Sequence, residues 1–434
     1  MRDHAGRAAG LVAACLALAA LSLLLPWALA FDPWSWLVWG RDVTRLELDT
    51  AGGPSWKPLP VVATTVLAFA GGAAPALWLV LARTGGLLAA AGAAVLARRL
   101  AGTAAAVAAA LAIELSSWWF FHSALGNSEG LLAAAVLWAV VAHLDGRTRV
   151  ALALALAAAL LRPEAWPFLG LYALWLWHTR RASLGLLALA LLPVPLLWFG
   201  PDAIGAGGAL GASDAARGTA SPQSAVNADV PALEVLVDFA ELVTPPVLAM
   251  AVLGAALGGR TVRVLAAGAL GWVALVAVMT QAGYAGNPRY NVAPAAIACV
   301  LAGVGVAALA RERRAAGLLL AGVLAAATLA FTAGDLSDQV DELGARADRR
   351  EQLDALVGDG DARCAPVYTN QPMKAMLTWR LDVDMEHLAD PPRPPGAVFR
   401  APPGYDDGPA LPPAPGFAPV AREGEWELVA SCPA

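Results

Sequence analysis

Lysine is nearly missing from this 434-residue chain: of 29 basic residues, only Lys57 and Lys374 are lysines. Charge of either sign is scarce, with 15% charged residues against about 25% in a soluble domain. No basic run is present, and the net charge is only -5, so nucleic acid is excluded as a partner. There are four cysteines and no CxxC pair, and no His/Cys/Asp/Glu spacing suggests a metal site. No internal repeat is visible. Hydrophobic residues, in contrast, make up 59% of the chain. Apolar runs near 20 residues recur along it, which defines a polytopic membrane protein embedded in a lipid bilayer.

The first run, about 9–30, follows Arg2 and Arg7. It ends in an A-x-A pattern, Ala28-Leu29-Ala30, that imitates a signal peptide, but it is long enough to span and is read as a retained first helix. Further spans are expected at about 75–97, 103–121, 129–144, 150–162, 165–178, 184–199, 236–257, 263–281, 290–309 and 315–333. The basic turns at 98–99, 145–149, 179–181, 258–263 and 310–314 then fall on one side, the cytoplasm under the positive-inside rule. The expectation is an all-α polytopic protein of about eleven transmembrane helices. Its N-terminus is cytoplasmic and its C-terminus extracytoplasmic.

Residues 1–334 form the membrane domain, with a first outer loop at 31–74. Residues 200–234 read as a second outer loop, and 335–434 as a small α/β extracytoplasmic domain. That domain should open with a charged amphipathic helix at 335–357. A strand–helix–strand piece follows, with strands at 367–369 and 381–383, then a Pro-rich extended stretch at 390–420. A last strand runs from Glu425 to Ser431. Cys364 and Cys432 flank most of it and are expected to form a disulfide.

The rare polar residues gather at the outer ends of spans, where charges at membrane depth point to function. The stretch Phe31 to Leu59 holds Asp32, Arg41, Asp42, Asp49 and Lys57 among Trp34, Trp36, Trp39 and Trp56. The others are His122 to Glu129, the pair Arg162 and Glu164, and Asn287 to Tyr290. Plainer readings exist for each. The tryptophans form an interfacial belt, Arg162 and Glu164 make a structural salt bridge, Glu129 caps a helix behind Ser128, and Arg289 anchors at the interface. A chemistry that uses the whole set is sugar transfer from a lipid phosphate. A carboxylate takes the acceptor proton, and Arg or Lys holds the phosphate.

In order, the chain presents Asp32 after the first helix, then Trp36-x-x-Trp39-Gly40-Arg41-Asp42-Val43 and Trp56-Lys57-Pro58-Leu59-Pro60-Val61. GNSEG at 126–130, LLRPEAW at 160–166 and RYNVAP at 289–294 follow. This pattern resembles the GT-C superfamily of integral-membrane glycosyltransferases that use polyprenyl-phosphate sugars, bacterial mannosyl- and arabinofuranosyltransferase-like members in particular. The resemblance implies a hexosyl- or pentosyltransferase of the cell membrane with Asp32 as catalytic base and Asp42, Glu129 and Glu164 as supporting acids. Arg41, Lys57, Arg162, Arg289 and Tyr290 would contact the donor phosphate or sugar. It implies no cofactor and leaves a divalent metal open; the partners are a polyprenyl-phosphate sugar donor and a cell-envelope glycan, lipid or protein acceptor. Many members carry two adjacent acids where this chain has Asp32-Pro33, and Asp42 or Asp49 would supply the second. A flippase of lipid-linked sugars and a non-catalytic protein of the same shape are the alternatives. The first should show repeats and charges at mid-depth, and the second should tolerate loss of Asp32.

Overall fold

The computed structural model describes residues 2–50, 52–205, 208–218, 224–310, 313–358, 365–383, 385, 388, 390–400, 411 and 414–432. Helices dominate. In order they are α1 (Arg2–Leu21), α2 (Phe31–Arg45), α3 (Pro58–Ala68), α4 (Ala74–Ala101), α5 (Thr103–Glu114), α6 (Ser117–Ala124), α7 (Glu129–Leu144), α8 (Thr148–Leu161) and α9 (Trp166–His178). Then come α10 (Leu184–Leu191), α11 (Pro193–Gly205), α12 (Gly211–Gly218), α13 (Pro231–Val243), α14 (Pro245–Leu257), α15 (Arg260–Gln281), α16 (Val292–Leu309) and α17 (Arg314–Gly358). Among the described residues, five helical segments are long and apolar enough to cross a membrane, and up to seven if each of two bent pairs is one span. The shorter apolar helices include α7 and α8.

Small residues set the packing at the centre of the bundle. A Cβ on Gly254 would collide with the Leu301 carbonyl, and one on Gly305 with that of Met250, so α14 and α16 touch backbone to backbone. Residues of α16 are buried through most of its length.

Proline and strained backbone break two expected spans. The run at 236–257 is bent by 98° at Thr244, where Pro245-Pro246 follows. A proline bars its predecessor from the helical region, and Thr244 sits at φ 68°. The run at 103–121 bends by 63° between α5 and α6, where Ser116 accepts from the Trp119 N–H and starts a new helix.

The segments read as outer loops are more ordered than expected. Residues 31–45 form a buried helix, and 200–234 carry the end of α11, α12 and the start of α13. The helix expected at 335–357 is the continuation of α17. Its 45 residues cross position 334 without a break. At about 1.5 Å per residue this helix is near 68 Å long, twice the hydrocarbon thickness, and its second half packs on the end of the bundle, with Leu343 against Ala28 and Leu125 and Arg346 over Phe121.

That half carries the C-terminal domain: β1 (Val367–Thr369), α18 (Lys374–Leu381), β2 (Gly396–Arg400), β3 (Ala418–Glu423) and β4 (Trp426–Ser431). The sheet order is β1-β2-β4-β3, with β1 and β2 parallel and the other pairs antiparallel. The strand expected at 381–383 is not formed, because α18 runs to Leu381 and Asp382 caps it in the left-handed region. Its place in the sheet is taken by β2, inside the stretch read as merely extended. There Ala397, Val398 and Phe399 are fully buried. Trp426 is buried against α17, with its indole N–H donating to the Arg349 carbonyl at 2.9 Å. Cys15 and Cys299 are free and buried in the bundle. Cys432 is disulfide-bonded, and Cys364, its expected partner, lies outside the described residues.

Candidate active site

Asp32 occupies the first turn of α2, where the helix dipole favours a carboxylate. It is 7% exposed. Lys57 precedes Pro58, which starts α3, and its ammonium donates to Asp32 Oδ2 at 3.2 Å. Arg289, in the 3-10 turn Pro288–Asn291 that leads into α16, donates to the same oxygen at 3.0 Å. One carboxylate is thereby held between two cations from distant parts of the chain. Burial pushes the Asp32 carboxyl up, but the Arg289 guanidinium and the Lys57 ammonium outweigh it and hold it below the usual carboxylate range. Burial pulls Lys57 down to about 8 against the attraction of Asp32.

A second group adjoins the first. Pro163 stops α8, which leaves Arg162 extended at its end. Arg162 Nη2 donates to Glu129 Oε1 at 2.6 Å, and Nη1 lies 3.8 Å from Glu164 Oε1. Its guanidinium lies 4.6 Å from the centre of the Tyr290 ring. Tyr290 follows Arg289 and so joins the two groups. Ser128 makes no capping hydrogen bond, so Glu129 serves the pair with Arg162 rather than a capping motif. Glu129, Arg162 and Glu164 are all at most 4% exposed. Even so, Glu129 Oε2, Glu164 Oε2 and Arg162 Nε have no hydrogen-bond partner among the described residues. Buried polar atoms are normally paired, and three without a partner surround one arginine.

Five expected residues, Asp32, Glu129, Arg162, Glu164 and Arg289, thus converge, together with Lys57 and Tyr290. Arg41 and Asp42 do not join them. They lie at the far end of α2, with Asp42 about 15 Å along the axis from Asp32. There Arg41 pairs with Asp42 at 3.2 Å and with Asp382 of the C-terminal domain at 2.7 Å. Trp34, Trp36 and Trp56 do not form an exposed rim; all three are buried. Trp36 lies beneath Lys57, 4.8 Å from the ammonium to the ring centre, and Trp34 beneath Arg380 at 5.5 Å. Arg350 covers Trp27 at 3.9 Å. The tryptophans are the seat on which the site and the C-terminal domain rest. Sequence spacing carries no sign of the domain contacts, since Arg380 and Arg350 lie more than three hundred residues from Trp34 and Trp27. Among the described residues, no group of three or more His, Cys, Asp or Glu is placed to hold a metal ion.

Beside the charged cluster a cavity of about 650 Å³ opens among α7, α8, α9, α15 and α16. Its walls are apolar and aromatic, with Phe168, Leu169, Trp272 and Ile297 among them. Its upper end reaches Ala165 and Ala293, next to Glu164 and close to Tyr290. Its lower end reaches His143 and Arg260. From Trp272 to Arg260 the groove follows α15 for about 18 Å.

No protein-family model and no curated protein matches the sequence. Two solved structures are similar over nearly the whole chain, both of ArnT from Cupriavidus metallidurans. The structure bound to undecaprenyl phosphate has a TM-score of 0.62 and 16% identity, and the apo structure a TM-score of 0.61 and 15% identity. In each case 98% of this chain and 98% of the other are covered. A helical membrane bundle with a four-stranded C-terminal sheet, aligned end to end with these structures, shares their fold.

Proposed function

We propose that the protein is a membrane glycosyltransferase that moves a sugar from a polyprenyl-phosphate donor to a cell-envelope acceptor at the outer face. The observation that carries this reading is the Asp32–Lys57–Arg289 cluster, joined through Tyr290 to the orphaned atoms of Arg162, Glu129 and Glu164. An apolar groove passes close by, lined at one end by Ala165, next to Glu164, and by Ala293, near Tyr290. A groove of this length and lining suits a prenyl tail. The cations of the cluster suit the phosphate, and the buried acids beside them suit sugar hydroxyls. That a protein of the same fold is known with undecaprenyl phosphate bound supports the donor class.

On this reading the phosphate competes with Asp32 for Lys57 and Arg289. As the cations turn to the phosphate, the carboxylate loses the two bonds that make it a weak base. Its proton affinity then rises where the acceptor hydroxyl must be deprotonated. The acceptor oxygen forms its bond to the anomeric carbon while the carbon–oxygen bond to the phosphate breaks. The proton passes to Asp32, and the electron pair leaves with polyprenyl phosphate, whose new charge Arg289 and Lys57 stabilise. Arg162, held over Tyr290, fixes Glu129 and Glu164 toward the sugar.

The test is incubation of the purified full chain in nanodiscs with a panel of polyprenyl-phosphate sugars and envelope acceptors, followed by product analysis. Transfer of one sugar, lost in Asp32→Asn, is expected. Movement of the lipid-linked sugar between leaflets without any transfer would replace this reading by the flippase alternative.

A further inference from the structure

The helix α9 starts beside Arg162 and runs away from the charged cluster to the other end of the bundle. There a second cavity, of about 630 Å³, sits in the turn between α9 and α10. His178, Arg180, Arg181 and Ser183 line it, and no Asp or Glu does. Arg180 ends α9 in the left-handed region, at φ 56°, where glycine is usual. Its N–H and that of Arg181 donate to the Trp177 and Leu176 carbonyls at 3.0 and 2.8 Å. The backbone closes this turn, so the two arginine side chains are not needed for it. The Arg181 guanidinium lies 5.0 Å from the centre of the Trp175 ring. Trp175 also meets His143 edge-on at 5.0 Å and stacks with Tyr172 at 5.7 Å. These three rings line the lower end of the apolar groove, and Arg260 lines it from α15. The basic cavity and the groove are thus joined at the contact of Arg181 with Trp175.

No Asp or Glu lines the groove either, and none pairs with Arg180, Arg181 or Arg260 among the described residues. Cations on a protein surface are usually just solvated. These stand at the mouth of an apolar groove, and its wall residues Leu171 and Val264 are 64% and 62% exposed, so the groove is open sideways to lipid. The chemistry that matches both parts is an anion carried on an apolar chain. From Arg260 to Trp272 the groove is about 18 Å long, against about 15 Å for half the hydrocarbon thickness, so one acyl chain fits along it. We infer that the basic cavity and the lower groove together bind an anionic glycerophospholipid of the phosphatidylglycerol type. Its phosphate lies among His178, Arg180 and Arg181, and one acyl chain runs past Trp175 into the groove. The site does not rest on the glycosyl-transfer reading. On that reading the prenyl tail enters the same groove from the other end, so the two lipids exclude each other.

The full chain is extracted from membranes of equal phosphatidylglycerol and phosphatidylcholine, and retained lipid is read by native mass spectrometry. Phosphatidylglycerol is expected to be kept about tenfold over phosphatidylcholine. That preference should be lost in Arg180→Gln/Arg181→Gln. It should persist in Arg147→Gln/Arg149→Gln, which removes the same charge from a turn that lines neither cavity. Gly268 lines the groove, and a Cβ there would meet nothing within 4 Å, so Gly268→Leu narrows the groove without a clash. It should weaken phosphatidylglycerol retention about tenfold as well. Equal retention of the two lipids by the wild type overturns the site, whether or not any variant folds. Equal loss of the preference in the two arginine pairs overturns the headgroup cavity, and full retention in Gly268→Leu overturns the place of the acyl chain. Undecaprenyl phosphate, titrated last, is expected to displace phosphatidylglycerol from the wild type. Selective retention of phosphatidylglycerol that undecaprenyl phosphate leaves untouched overturns the prenyl tail's place in the groove and leaves the phospholipid site standing.

Discussion

Asp32 is ionised and shared by two cations, and this makes its neighbours as informative as the acid itself. Asp32→Asn keeps the shape and removes the proposed proton acceptor, so turnover is expected to fall about 10²–10⁴-fold in the product assay. Lys57 gives a sign that can be read with pH. With its ammonium pulled down to about 8, the free protein loses the charge proposed to bind phosphate as pH rises through that value. Donor kcat/KM should therefore fall above pH 8, and Lys57→Arg, whose charge persists, should remove that limb of the profile. Stability moves the other way for this group. Between about 8 and the ordinary 10.5 the unfolded chain binds the proton that the folded chain has released, so this group's penalty on folding is relieved as pH rises. Arg162 is a different case, since it compensates two buried acids. Arg162→Met should cost about 3–5 kcal/mol in unfolding measurements in detergent, and adding Glu129→Gln should recover part of the loss.

At the scale of elements, α2 joins the two halves of the molecule. Its first turn carries Asp32. Its last turns hold the C-terminal domain, where Arg45 donates to both oxygens of Asp382 at 2.6 and 3.0 Å and Arg41 joins the same acid. The helix is fixed against α3 at Gly40, where an added Cβ would lie 2.5 Å from Thr64. Thr64 in turn donates to the Trp36 carbonyl at 2.5 Å. That crossing sets the distance from Asp32 on α2 to Lys57 at the start of α3. Gly40→Ala should force the helices apart, at about 1–3 kcal/mol by overpacking. Donor turnover should fall with it while helix content by circular dichroism is unchanged. Full activity in Gly40→Ala would show that the crossing does not position the pair.

For the whole molecule, the side of the membrane is the quantity to measure. The charged cluster and the C-terminal domain share one end of the bundle, and the Arg-rich turns at 145–149 and 258–263 lie at the other. Cysteines introduced in 200–234 are expected to react with an impermeant reagent added from outside, and cysteines at 145–149 only after the membrane is opened. The reverse pattern would put the site in the cytoplasm.

Sequence alone determined the membrane class and the order of the helical segments, and singled out the polar residues proposed for the site. Long apolar runs need lipid, and a polar residue among them is costly enough to stand out one at a time. The same reasoning read the tryptophans as an interfacial belt, made a loop of α2 and set a strand at 381–383. Each of those depends on what covers the segment, and that lies far away in the chain. Trp34 is buried because Arg380 and α18 fold over it. The residues 396–400 become a strand because β1 and β4 flank them. Asp32, Arg289 and Arg162 meet because α2, the end of α8 and the start of α16 finish at one end of the bundle. Local periodicity carries no record of such contacts. The split of the four acids of the predicted site, Asp32, Glu129 and Glu164 in the cluster and Asp42 at the domain joint, was made by the packing of α2 and could only be seen in the folded chain.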